Sequence, residues 1–188
     1  MDFLRTVDPI KTVEGVPDAY PDAPAGLSTE AAALDSASIW QRIEQWIAHR
    51  YTPRSVTFIF HSLEPKMLWD APLTPISEAS VQRWTGEAWE AVTLAPSPFG
   101  GYVTADRGLH QVTATVGADN AAPAAVLRAF ARLAEYLADP AASPAGASSW
   151  SIDLGGAFRE SVRRPDNWLA NALTLSGAAD LLRPYRRL

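Results

Sequence analysis

The chain has 188 residues, of which 47% are apolar and 20% charged, and its net charge is −5. That balance describes one globular domain with an appendage and gives no bulk attraction to nucleic acid or an anionic membrane. It contains no cysteine, which excludes disulfides, thiolate metal sites and cysteine nucleophiles.

The chain starts MDFLRTVDPIKTVEG, with neither a basic beginning nor a long apolar run, so a secretory signal is not expected. No window approaches the roughly 18 apolar residues of a membrane span, and a cytosol-like compartment is expected for folding. Residues 1–26 carry Pro9, Pro17, Pro21 and Pro24 with Gly15 and Gly26, which reads as an extended N-terminal arm. Phe3, Leu4, Val7, Ile10, Val13 and Val16 are too apolar for a solvated tail. The arm therefore packs on its own domain or on a neighbouring subunit.

Ser28 or Thr29 opens a helix predicted to run to about Arg50, with Ile39, Trp40, Ile43, Trp46 and Ile47 as its apolar stripe. Thr52-Pro53 closes it. Arg54–Ser62 is a predicted strand, with Val56, Phe58 and Phe60 on one face and Thr57, Ile59 and His61 on the other. Pro65, Pro72 and Pro75 surround Met67, Leu68 and Trp69, which predicts a short edge strand and a loop. Val81–Trp84 and Glu87–Leu94 flank Thr85-Gly86 as a hairpin, with Trp84 near Trp89. Tyr102–Ala105 and His110–Val116 are the last strands before a loop.

Pro123–Ala138 is the element around which the chain is organised. Val126, Leu127, Phe130, Leu133, Ala134 and Leu137 make one helical stripe, Asn120 is placed to cap it, and Pro140 ends it. Asp139–Trp150 is rich in Pro, Gly and Ser and reads as a linker or mobile loop. Short helices are expected around Ala157–Arg163 and Trp168–Leu173, with Asp166 or Asn167 capping the second.

This order predicts an α+β fold: a small helical bundle on two main helices, an antiparallel β-sheet or hairpin insertion, and extended N- and C-terminal arms. The expected division is an arm at 1–26, a helix–β–helix core at 27–138, a linker at 139–150, and short helices with a docking tail at 151–188.

Little in the sequence points to catalysis. His49, His61 and His110 fall in separate elements with no partner at ligand spacing. HExxH, GxxxxGK[ST] and GxSxG are absent. Glu87 and Glu90 would face opposite sides of a strand, and Glu64, Asp70 and Glu78 lie in proline-broken loops, so no carboxylate pair is held at a glycosidase spacing. No metal, cofactor or catalytic residue is assigned. Seven tryptophans leave a β-rich carbohydrate- or ligand-binding module as an alternative, chiefly because Trp69 has no evident core role.

The C-terminus is the most informative stretch. From Arg159 onward there are six Arg against Glu160, Asp166 and Asp180, a net of +3, while the rest holds ten basic and eighteen acidic residues, a net of −8. Leu181, Leu182, Tyr185 and Leu188 add apolar anchors to Arg183, Arg186 and Arg187. Tyr and Arg are enriched at interface cores, so this reads as a docking peptide on an acidic body. Residues Ala178–Leu188 should then be removable without loss of fold.

These stretches resemble the head–tail connector (adaptor) proteins of long-tailed phages and gene transfer agents. The resemblance rests on SIWQRIEQWIAHRYTPRSVTFIF, Ser38–Phe60, a helix running into a strand; on the hairpin WTGEAW, Trp84–Trp89; on AAPAAVLRAFARLAEYL, Ala121–Leu137; and on the ending LLRPYRRL, Leu181–Leu188. The proline-rich lead and the Asp139–Ala178 segment are longer than such proteins usually have. The resemblance implies a virion neck protein, assembled in the host cytoplasm and without enzymatic activity. It implies a self-associated dodecameric ring beneath the portal protein ring that extends the DNA channel. Genomic DNA would pass without sequence-specific binding, and a stopper or tail-completion protein would dock below, with no membrane partner. It also implies portal docking by Leu182, Arg183, Tyr185, Arg186 and Arg187. Another virion ring protein, a stopper or tail-completion factor, is the nearest alternative.

Overall fold

The structure is a computed structural model that describes residues 7–98, 101–139, 149–153, 159–163 and 168–186. Its internal contacts divide the chain into two compact units, one chiefly of residues 1–20 and 48–121, the other chiefly of 21–47 and 122–186. Each is discontinuous in sequence, because the β region is inserted between helices. The α+β class is seen directly, as antiparallel sheet together with five α-helices among the described residues.

The first unit holds the strands β1 (Pro9–Glu14), β2 (Arg54–Ser62), β3 (Leu68–Trp69), β4 (Ile76–Trp84), β5 (Trp89–Ala91), β6 (Ala95–Pro96), β7 (Tyr102–Val103) and β8 (Gly108–Val116). Five make one antiparallel sheet in the order β1-β2-β8-β4-β5, and three make a second, β3-β7-β6. The β-branched alternation of β2 and β8 sets the register, Val56 opposite Ala114 and Phe58 opposite Val112. Val56, Phe58, Phe60, Val112 and Val116 then face one core, which Met67, Trp69 and Leu94 close from the smaller sheet. The insertion is thus two sheets around a core of their own. Trp69 lies fully buried at its centre.

Glycine is required beside the β3–β7 pairing of the smaller sheet. Gly101 has φ +68°, and a Cβ there would run into the Trp69 carbonyl. The β4 strand begins five residues earlier than predicted, through an irregularity between Ser77 and Ser80 where Glu78 takes φ +51°. Such a bulge is hidden from a strict period of two. The hairpin pairs Trp84 with Trp89 as expected, but its second strand is Trp89–Ala91 and not Glu87–Leu94, because the turn is longer, with Thr85 and Ala88 bonded across it.

The N-terminal arm packs on its own domain, one of the two readings, but as a strand that was not predicted: Pro9–Glu14 is the edge strand of the larger sheet, paired with β2. Thr12 and Val13, bounded by Pro9 and Gly15, supply the strand preference that the prolines mask. Its end is held by charge. Arg50 donates from Nε to Glu14 Oε1 at 2.5 Å and from Nη2 to Oε2 at 2.9 Å, and Arg54 Nη1 donates to Oε1 at 3.3 Å. Both arginines are buried, and Arg54 lies 5.3 Å over the Tyr20 ring. Burial alone would raise the Glu14 carboxyl, but the hydrogen bonds and charges of Arg50 and then Arg54 outweigh it and hold the group below the ordinary glutamate value.

A depressed carboxyl stabilises the fold at pH above its unfolded value, and that contribution is lost as pH falls through the folded one. Glu14→Gln leaves two buried guanidiniums short of a partner and should cost about 2–3 kcal/mol at neutral pH. The difference from the parent chain should shrink at acid pH, as the pH falls through the depressed folded-state value of the parent carboxyl. Urea titrations at neutral and acid pH measure this, and an equal loss at both would contradict the ion-pair account.

The second unit holds α1 (Thr29–Ala32), α2 (Ser36–Ile47), α3 (Ala124–Ala138), α4 (Ala172–Leu175) and α5 (Ala178–Leu182), with β9 (Ser149–Asp153) paired to β10 (Arg159–Arg163). The helix predicted from Ser28 to Arg50 is two helices. Asp35 accepts from the backbone N–H groups of Ala37 and Ser38 and so starts a new helix in mid-stretch, and α2 stops at Ile47, ahead of Ala48 at φ +57°. The central element is as predicted, since α3 packs against α1, α2, α4 and α5. Its buried face is Val126, Ala129, Phe130, Leu133 and Ala134, with Phe130 5.1 Å from Trp40.

Asn120 does not cap α3. Pro123 occupies the N-cap and its carbonyl accepts from Val126 and Leu127. Ser28 caps α1 through Ala31 N–H and also donates, from N and from Oγ, to the two Glu135 oxygens at 2.7 Å each, tying α1 to α3. Those bonds, backbone then side chain, lower the Glu135 pKa.

Two expectations beyond α3 are corrected. Arg159–Arg163 is a strand, not a helix, and Ser149-Trp150 of the expected linker belongs to β9. SWSID alternates polar and apolar residues as a strand does, whereas RESVR, with Val162 as its one apolar residue, carries no period and is a strand through its pairing with β9. The predicted helix at Trp168–Leu173 lies at Ala172–Leu175, after a turn. The proposed caps Asp166 and Asn167, and residues 140–148 of the linker, fall outside the described residues.

Candidate docking site at the C-terminal turn

The C-terminal segment is built on a fixed foundation within the second unit. Gly177, at φ +71°, turns the chain from α4 into α5, and its carbonyl accepts from Arg132 Nη1 of α3 at 3.3 Å. Ala178 and Leu182, one turn apart on α5, are fully buried. Pro184 then tightens the chain into a 3-10 turn, Arg183–Tyr185, closed by Arg186 N–H donating to Arg183 O.

The five docking residues of the sequence reading divide. Leu182 is 0% exposed and holds α5 in place, so it offers no surface to a partner in this conformation. Arg183, Tyr185 and Arg186 are exposed, Tyr185 by 38%. Arg187 lies outside the described residues. The removable tail is therefore shorter than Ala178–Leu188, because α5 belongs to the core.

The turn borders a groove of about 340 Å³, lined among others by Trp46, Thr174, Gly177, Asp180, Arg183 and Arg186. The Arg186 guanidinium lies 5.0 Å over the Trp46 ring, a favourable cation–π distance. The sequence reading places Trp46 in the apolar stripe of its helix, yet the residue is half-buried and forms a wall of the groove. Its position at the margin of the stripe, between Ile43 and Ile47, was the available signal. Thr174 and Asp180 gave none, since α4 and α5 are each under two turns long.

Other candidate residues are used structurally. His110 is buried and stacks on Phe60 at 5.3 Å, and burial, partly offset by its bond to the Gly108 carbonyl, pushes its pKa below the ordinary imidazole value. Burial and the Arg50 charge do the same to His49, whose Nδ1 lies 3.4 Å from Thr74 Oγ1. His61 is exposed. Among the described residues no group of three His, Asp or Glu side chains could hold a metal ion. Trp84 and Trp89 pack against one another, tilted 58° at 5.4 Å, and do not form the flat platform a sugar ring requires.

No family model and no curated protein matches the chain. Solved structures do match, among them two chains from necks of gene transfer agent (GTA) particles. A chain from the "Neck of empty GTA particle computed with C6 symmetry" superposes with a TM-score of 0.50 at 14% identity, covering 95% of this chain and 96% of that one. A chain from the "Neck of native GTA particle computed with C12 symmetry" gives 0.47 at 15% identity over 81% and 80%. The first of these carries the likeness: the two chains share a fold over nearly their whole lengths.

Proposed function

We propose that this chain is a structural neck protein of a tailed particle, a head–tail connector (adaptor). It forms a ring below the portal, extends the DNA channel and joins the head to the stopper or tail. The observation that carries this reading is the fold shared end to end with a neck chain of a GTA particle. The resemblance of Ser38–Phe60, Trp84–Trp89, Ala121–Leu137 and Leu181–Leu188 to adaptors supports it independently. An exposed Arg183–Arg186 turn on a firmly packed α5 is the form a docking element takes when its order is supplied in advance, which lowers the entropy cost of binding.

In this reading Arg183, Tyr185, Arg186 and Arg187 dock on the portal, and Leu182 positions them. The acidic remainder of the chain, with a net of −8 before Arg159, repels phosphates and keeps the channel from gripping DNA. Co-sedimentation with the portal ring of the same particle tests the proposal. The chain should move with the ring at a fixed ratio. A chain that stays at the top of the gradient at every concentration would overturn the reading.

A further inference from the structure

We propose that the Trp46–Arg183–Arg186 groove is a peptide site, which takes an acidic segment of the portal ring with a carboxylate next to an apolar side chain. The inference rests on the connector reading and names the partner chemistry of its docking site. Two exposed guanidiniums border one groove, and among the described residues neither has a carboxylate partner. Arginine presents a planar fork that matches a carboxylate with two parallel bonds. The Trp46 ring beneath Arg186 restrains that fork while leaving its edge N–H groups free to donate. The indole also supplies the apolar wall on which a leucine-sized or aromatic neighbour of the carboxylate would lie.

The same lining discriminates. Asp180 stands in the groove with the two arginines, so its net charge is one positive, not two. A run of phosphates at nucleic-acid spacing would meet that carboxylate, whereas a single carboxylate flanked by apolar groups need not. Leu182 and Ala178, both 0% exposed, and the Arg132–Gly177 bond hold the lining in place.

The test uses the full chain, the portal ring, and two blocked peptides of alternating Glu and Leu or alternating Gln and Leu. Arg183→Gln with Arg186→Gln should weaken ring attachment by about tenfold or more, the loss of two charge-assisted contacts. Trp46→Leu should weaken it by a smaller factor. The arginine double variant should melt like the parent, since both side chains are exposed, and it carries the test if the half-buried Trp46 proves to be needed for stability. The Glu peptide should displace the parent chain from the ring, and the Gln peptide should not. If the parent chain attaches and the double variant attaches equally well, the groove proposal fails and the connector reading stands. If the parent chain binds the Glu peptide through these arginines but never the ring, the connector reading fails. If the variants lose self-association instead of ring attachment, the occupant is a second copy of this chain and the proposal is overturned.

Discussion

Trp69→Ala should lower the unfolding free energy by about 3–5 kcal/mol, as large-to-small changes of a buried aromatic do. The indole is 0% exposed and sits in a column of near-parallel rings. It stacks on Phe60 at 5.3 Å and on Tyr102 at 5.9 Å, and Phe60 in turn stacks on His110. Phe58 meets it from the side at 5.6 Å. These contacts join β2 to the short strands β3 and β7, which have only two residues each and few ladder bonds of their own. Removing the ring therefore removes what attaches the smaller sheet to the larger. Trp69→Phe is the control. Its ring keeps most of the stack, and it deletes an indole N–H that is buried without an acceptor among the described residues. That variant should cost less than about 1.5 kcal/mol. Urea unfolding followed by circular dichroism reads both, and equal losses would mean that the stack is not what joins the sheets.

The second large effect is Leu182→Ala, at about 2–5 kcal/mol. Leu182 is fully buried where α5 meets α2 and α3. Losing it should also abolish partner attachment, although the side chain touches no partner, because Arg183, Tyr185 and Arg186 hang from it. A chain ending at Leu182 separates the two roles: it should melt like the parent and fail to attach. A chain ending at Gly177 should lose stability as well, since Ala178 and Leu182 both go. If the two truncations behave alike in thermal melts, α5 is not part of the core and the assignment of Leu182 is wrong.

Where the pattern along the chain was long and regular, the sequence disclosed the element. The β2 strand has the predicted bounds, Arg54–Ser62, because nine residues alternate with Val56, Phe58 and Phe60 inward. The α3 helix has nearly the predicted bounds, because its apolar stripe is long and regular, although Ala129 takes a buried place and Leu127 and Leu137 are only partly buried. The Trp84–Trp89 pair follows from a short turn between two β-prone runs. Where competing local signals were as strong as the pattern, the reading failed. Prolines hid β1 inside an arm, and Asp35 split one helix into two by bonding the backbone in mid-stretch. Arg159–Arg163 was too short for periodicity to separate strand from helix.

The proposed docking segment was singled out by composition, and its geometry was not legible in the sequence. Tyr and Arg near the C-terminus identified the segment, and Arg183, Tyr185 and Arg186 do lie exposed there. Leu182 looks like an anchor for a partner in one dimension. Only the packing of α5 on α3 turns it into an anchor for the chain itself. Trp46, more than 130 positions before Arg183, reaches the same groove through tertiary structure alone.

The central claim is that this chain is a neck connector that meets the portal through its C-terminal turn. Cryo-electron microscopy of the chain mixed with the portal ring of the same particle tests this most directly. The account predicts a ring of added density beneath the portal, with Arg183, Tyr185 and Arg186 of each subunit in contact with it. A bare portal beside free monomers, or a bound ring whose C-terminal turns face away from the portal, would contradict it.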